Sequence, residues 1–198
     1  MTTPDLTPEL ADQRAVRTAS SSVMGMTLFV ASEAVFFAAF FGVYATSYTN
    51  AKTWPPAGMT VPTLLLPSIA VLVLLASGAT MARCMTRAHH TDYPRGVVPW
   101  LGSTVVGAVV FAALVAVGMI EVDFSAGAGI YQSLFYVIVG LELAHVVGGL
   151  VLLLLVLVRA GNGELELRRD PVQSAAIYWY FVVALGVVVY LILYVGVR

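Results

Sequence analysis

Five long apolar stretches, separated by short polar segments, dominate the pattern of the chain. Each is long enough for a helix to cross the hydrocarbon core of a bilayer, which takes about 20 apolar residues. Their boundaries, read from the sequence, are 23–48, 62–81, 97–120, 130–158 and 174–197. The pattern therefore predicts an all-α, polytopic membrane protein, with five transmembrane helices in one bundle.

The segment before the first apolar stretch differs from the rest of the chain. Residues 1–22 are polar and carry charges of both signs. They lack the basic start and short apolar core of a secretory signal, so we expect the first stretch to be retained as a helix. We therefore divide the chain into an N-terminal segment, 1–22, and a single five-helix transmembrane domain, 23–198. For the fifth helix, we expect Asp170 to be the N-cap, because Pro171 follows it.

Composition supports the membrane class and excludes several others. Of the 198 residues, 60% are hydrophobic and 11% are charged, whereas about one quarter of the residues of a soluble domain are charged. The formal net charge of −1 argues against a nucleic-acid partner. The single cysteine, Cys84, excludes an internal disulfide and a cysteine metal cluster.

The distribution of basic residues predicts the orientation of the helices. Of the ten Lys and Arg residues, all but Lys52 and Arg198 lie in the N-terminal segment, the second loop and the fourth loop. Basic residues are enriched on the cytoplasmic side of membrane proteins. We therefore expect the N-terminus to be cytoplasmic and the C-terminus to lie outside.

One charged residue, Glu33, lies near the middle of the first apolar stretch. A carboxylate there costs at least a few kcal/mol, which makes Glu33 a candidate for function. When the stretch is projected as a helix with 100° per residue, bulky side chains lie on the same side as Glu33 and small side chains lie on the opposite side. Because small residues mark close packing between membrane helices, we expect the small side to pack and Glu33 to project toward lipid, a cleft or another subunit. The alternative is a neutral structural acid, hydrogen-bonded to a nearby backbone group or hydroxyl.

The fourth stretch contains two more ionisable residues, Glu142 and His145. At a spacing of three they share one face of a helix, where they can hydrogen-bond each other or titrate as a pair. A Glu-x-x-His pattern also occurs in di-metal carboxylate sites, but these need a second such motif and two further acids. A bis-histidine haem would need a second intramembrane histidine, which the sequence lacks.

We therefore predict no catalytic, cofactor-binding or metal site within this chain. The functional candidates inside the membrane are Glu33, Glu142 and His145, in a lipid cleft or a proton-related role. His89 and His90, adjacent in the second loop, are loop candidates that are more typical of a membrane interface than of a ligand set.

Several short motifs, in order along residues 23–197, resemble subunit III of haem–copper oxidases, the cytochrome c oxidase subunit 3 family. The most specific is the run from Met24-Gly25-Met26 to Ser32-Glu33, followed by Phe36-Phe37. The other matching stretches are Ala76-Ser77-Gly78-Ala79-Thr80, Ala88-His89-His90, Gly140 with His145-Val146-Val147-Gly148, and Tyr178-Trp179 with Phe181-Val182. The chain resembles the five-helix form, which lacks the first two of seven helices.

This resemblance implies a non-catalytic subunit of a respiratory terminal oxidase in aerobic electron transport, in the plasma membrane of a bacterium. Such a subunit binds no haem or copper, which belong to the partner catalytic subunits. It packs mainly against subunit I, contacts other oxidase subunits and has no activity alone. The complex can in turn belong to a larger respiratory supercomplex. It stabilises the catalytic subunit, supports proton uptake and holds structural phospholipids in a cleft. Glu33 matches the intramembrane glutamate of this family.

Two alternatives to the oxidase subunit stay open, and three departures from the family pattern motivate the first of them. Glu142 and Tyr180 stand where the family usually has histidines, and Val183 replaces an aspartate. They suggest a divergent branch, or a subunit-III-like accessory protein of nitric oxide reductase. A small proton-coupled transporter using Glu33, Glu142 and His145 is the third possibility. The absence of an internal repeat and of paired broken helices argues against a transporter.

Overall fold

Five α-helices form the protein in the computed structural model, which describes residues 8–56, 63–88, 95–165 and 169–198, with side chains in the first helix from residue 21 onward. In chain order the helices are α1 (Pro8–Asn50), α2 (Leu65–Arg87), α3 (Val98–Glu121), α4 (Ile130–Gly161) and α5 (Asp170–Tyr190). Each contains a segment long and apolar enough to cross a membrane, and the described residues contain no strand. The predicted all-α membrane protein with five transmembrane helices is confirmed.

The helix ends refine the boundaries read from the sequence. α1 begins at Pro8, so its helix continues through much of the polar N-terminal segment. α5 begins one residue earlier than expected: Arg169 is the N-cap and Asp170 is already helical, without a side-chain cap. The Arg169 carbonyl, rather than a carboxylate of Asp170, accepts the first hydrogen bond, from the Gln173 N–H at 3.1 Å. The prediction of Asp170 as N-cap was therefore wrong. α5 continues into a π-helical segment, Leu191–Val195.

The helices α2 to α5 surround a common core, and α1 lies on its outside. α2 packs along α3 and α5, α3 packs along α4, and α4 packs along α5. α1 contacts α5 and, less extensively, α4. The largest fully buried side chain is Trp179 of α5, which lies at the centre of this arrangement.

Small polar side chains connect α2 to its two neighbours inside the core. The Trp179 indole N–H donates to the Ser77 hydroxyl at 3.2 Å, and this hydroxyl in turn donates to the Leu74 carbonyl at 2.6 Å. On the other side of α2, the Thr80 and Thr104 hydroxyls lie 2.8 Å apart. The pattern of small residues at 76–80 therefore brings α2, α3 and α5 close together, as expected for packing inside a membrane.

The side of α1 that packs against the bundle is the opposite of the one expected. Phe37 and Tyr44, on the same side as Glu33, are only 1% and 5% exposed. The small residues of the other side are exposed, namely Thr27, Ala31, Ala34, Ala38, Gly42 and Ala45. The expectation was wrong because aromatic rings, rather than close backbone contact, fill the space between α1 and the bundle. The Phe37 ring, for example, packs edge-on against His145 and Phe181.

Candidate functional site

A carboxyl and an imidazole from different helices meet where α1 lies on the bundle. Oε2 of Glu33, from α1, is 3.0 Å from Nε2 of His145, from α4. Their side chains are 23% and 12% exposed, so the pair is partly open on one side of this chain. Glu33 therefore does not simply project away from the bundle, since its carboxyl has a partner within the chain.

The second nitrogen of His145 determines how protons can be placed in this pair. Nδ1 is 2.7 Å from the Leu141 carbonyl oxygen. A carbonyl can only accept, so Nδ1 carries a hydrogen. Two placements of the remaining proton then satisfy the 3.0 Å contact: a protonated Glu33 donates to neutral His145, or an imidazolium donates to a carboxylate. In both, one proton lies between the groups and the pair has no net charge.

α5 supplies the surroundings of the pair. The Tyr178 hydroxyl donates to the His145 carbonyl at 3.0 Å, which fixes the backbone of α4 at this point. The Phe181 ring packs edge-on against the imidazole, with ring centres 6.1 Å apart. Close approach of Tyr178 depends on Gly149, because a Cβ there would lie 3.0 Å from a carbon of the tyrosine ring. The pair is therefore held by three helices.

Glu142 does not join this pair, which contradicts the expected contact with His145. The side chains of residues three apart on a helix differ in direction by about 60°. This difference is large enough for the two side chains to contact different neighbouring helices. His145 faces α1, whereas Glu142 is 4% exposed and faces the interior between α2, α3 and α5. Gly186 of α5 makes room for it, since a Cβ there would lie 2.8 Å from Oε1 of Glu142.

A cavity of about 30 Å³ lies beside the Glu142 carboxyl. Tyr190 and Tyr194 contribute to its wall from the end of α5 and its π-helical extension. The Tyr190 hydroxyl also lies 2.8 Å from the Ser68 hydroxyl of α2. Neither this cavity nor Tyr178 was identified as part of a site from the sequence. An aromatic residue in an apolar helix gives no signal that its hydroxyl meets a polar group.

The other sequence candidates lie elsewhere. His89 and His90 are outside the described residues. Tyr180 is 40% exposed and makes no hydrogen bond to either acid. Val183 packs against Gly78, because a Cβ added at Gly78 would lie 3.3 Å from a methyl group of Val183. Within the part of the chain that the structure describes, no three His, Cys, Asp or Glu side chains come together as a metal-ligand set.

Comparison with known proteins gives one consistent family. The family model described as cytochrome c oxidase subunit III matches residues 10–198. A cytochrome c oxidase subunit 3 from Xenopus laevis is 34% identical over 182 residues, which cover 87% of this chain and 67% of the relative. The corresponding protein of a Synechocystis species is 28% identical over 174 residues, covering 87% of this chain and 74% of the relative. A third, from Chondrus crispus, is 34% identical over 168 residues, or 80% of this chain and 60% of the relative.

The range matched by the family model extends over all five membrane-spanning segments. A family model that covers nearly the whole chain, together with relatives above 30% identity, is sufficient to assign the family. The chain belongs to the cytochrome c oxidase subunit III family.

Proposed function

We propose that this chain is the non-catalytic subunit III of a respiratory haem–copper terminal oxidase. The observation that carries the proposal is the family match over residues 10–198. In this proposal the chain packs mainly against subunit I, also contacts other oxidase subunits, and holds phospholipids against its exposed apolar surface. In this proposal, haem and copper belong to the catalytic subunits.

The proposed location is the plasma membrane of a bacterium, with the N-terminus cytoplasmic and the C-terminus outside. The five apolar helices support a multi-pass protein. The orientation rests on the basic residues of the N-terminal segment and of the second and fourth loops.

The proposed roles are to stabilise the catalytic subunit during turnover and to support proton uptake. The Glu33–His145 contact supports a proton-related role, because the pair holds one proton between its nitrogen and oxygen and stays neutral in the membrane. The Glu33–His145 pair is also partly exposed, so lipid or a neighbouring subunit can contact it beside α1. A proton path across the membrane would need waters or another chain, since the described groups do not connect its two sides.

Co-purification tests this proposal most simply. An affinity-tagged chain, isolated in a mild detergent, is expected to bring with it a catalytic subunit whose haem gives a reduced-minus-oxidised absorption spectrum. The tag on an unrelated five-helix protein of the same membrane is the control. Isolation of the tagged chain without any haem protein, from cells that are respiring on oxygen, would contradict the proposal.

The same preparation separates the second candidate, an accessory protein of nitric oxide reductase. That alternative is favoured by the departures from the family pattern at Glu142, Tyr180 and Val183. Under the proposal, the co-purified complex consumes oxygen with a reduced electron donor. A complex that reduces nitric oxide and leaves oxygen unconsumed would instead support the accessory protein.

A further inference from the structure

Glu142 is a buried carboxyl without a protein partner. It is 4% exposed, and no hydrogen bond or ion pair connects its side chain to any other described residue. Leaving a carboxyl in an apolar interior without a hydrogen-bond partner is unfavourable even when the carboxyl is neutral. The arrangement therefore requires a partner other than a side chain.

The cavity beside the carboxyl has the size and the polar groups to hold water. A water molecule needs about 10–15 Å³ of such space and at least two polar partners. The cavity, at about 30 Å³, has room for one or two waters. The lining residues with polar side chains are Glu142, Tyr190 and Tyr194, and the Tyr190 hydroxyl lies 2.8 Å from the Ser68 hydroxyl.

The wall composition favours water over a metal cation. The remaining side chains of the wall, from α2, α3, α4 and α5, are apolar, and none is basic. Ca²⁺ and Mg²⁺ take six or more oxygen ligands, far more than one carboxyl and two hydroxyls supply. No basic residue in the wall is available to pair with a carboxylate, so a neutral acid fits the cavity.

The cavity lies toward one end of the bundle. Its wall includes Leu66 and Pro67 at the start of α2, Gly118 at the end of α3, and Tyr194 near the C-terminus. These residues mark the end of the bundle at which α1 and α3 end and α2 and α4 begin. The cavity therefore lies closer to the solvent at this end of the bundle than to the solvent at the other end.

We infer that Glu142 and its cavity form a hydrated proton-exchange site, in which one or two waters hydrogen-bond the protonated carboxyl and connect it to the solvent at that end. This site is separate from the Glu33–His145 pair, because the two residues of α4 face different helices. The inference does not depend on the proposed oxidase function, since it rests on the burial of Glu142 and on the cavity alone.

Infrared spectroscopy of the full chain in lipid nanodiscs tests the inference. The C=O stretch of a protonated Glu142 is obtained as the difference between the wild type and Glu142→Gln, and Glu33→Gln is the control for the other acid. We expect this band to be present at neutral pH and to be retained in Glu33→Gln. We also expect it to shift to lower frequency as soon as the buffer is exchanged for D₂O. Absence of the Glu142 band, or a band that keeps its frequency in D₂O, would overturn the inference.

A pair of glycine substitutions tests the route while leaving Glu142 in place. Gly118→Leu adds a side chain to the cavity wall, where a Cβ has ordinary contact with Leu66 at 3.5 Å. Gly102→Leu, on the same helix, is the matched control, because a Cβ there meets nothing within 4 Å. We expect Gly118→Leu to delay the D₂O shift of the Glu142 band and Gly102→Leu to leave it unchanged. Equal exchange in both variants would exclude the cavity as the route.

Discussion

One proton keeps the Glu33–His145 pair neutral. Nδ1 of His145 is committed to the Leu141 carbonyl, so its other nitrogen and the Glu33 carboxyl must divide a single proton between them. Adding or removing a proton would leave a net charge inside the membrane, which is costly. The pair therefore joins α1 to α4 without bringing a net charge into the membrane.

A double-mutant cycle measures what this contact contributes to stability. Glu33→Leu leaves the His145 Nε2 without a partner and is expected to lower the free energy of unfolding by about 1–2 kcal/mol. His145→Phe, which suits the surrounding rings, removes the partner of Glu33 at a similar cost. In the double variant, we expect the loss to be smaller than the sum by about 1 kcal/mol, because neither unpaired group remains.

Reversible unfolding in bicelles provides the free energies for this cycle. Ser32→Ala is the neighbouring control, because the exposed Ser32 hydroxyl donates only to the Phe29 carbonyl of its own helix. Its effect is expected to be small. Additive losses from Glu33→Leu and His145→Phe would show that the two side chains do not stabilise each other.

At the scale of the helices, α2 and α3 approach each other closely at a glycine of α3. A Cβ at Gly107 would lie 2.7 Å from Cβ of Ser77 and 3.5 Å from its Cα. These atoms are fixed to the α2 backbone, so no side-chain rotation can relieve the contact. Ser77 also receives the Trp179 indole N–H, and the position of α3 therefore affects how α2 meets α5.

Gly107→Ala is expected to force α3 away from α2 and to destabilise the bundle by about 1–3 kcal/mol, as overpacking does in close-packed cores. Gly102→Ala has the same change in helix propensity on the same helix but meets no atom within 4 Å. We expect the free energy of unfolding of Gly102→Ala to equal that of the wild type or to be slightly higher. Equal effects of the two substitutions on the free energy of unfolding would contradict the close α2–α3 contact.

The number of membrane helices and their approximate positions follow from local sequence, whereas their contacts do not. A run of about 20 apolar residues is sufficient to predict a membrane helix, and all five runs are helices. The packing side of α1 was mispredicted because the small-residue rule applies to close backbone approach, and here rings such as Phe37 fill the interface. The separation of Glu142 from His145 depends on which helices lie beside α4, information that one helical pattern does not contain.

At the scale of the whole molecule, the structure places two ionisable sites beside α4, each against different neighbouring helices. The Glu33–His145 pair faces α1, and Glu142 faces the cavity between α2, α3 and α5. Within the described residues, no side-chain hydrogen bond links the two sites. The proposed function, in which the chain supports a catalytic neighbour, does not need a link between the two sites.

Turnover of the oxidase with and without this chain tests that account most directly. Oxygen consumption per haem is followed over repeated turnover in enzyme from wild-type cells, from cells that lack the chain, and from the latter after the chain is restored. We predict that enzyme lacking the chain begins to turn over and then loses activity sooner, and that the restored chain reverses this loss. Oxidase that keeps its full activity throughout turnover without the chain would contradict the proposed function.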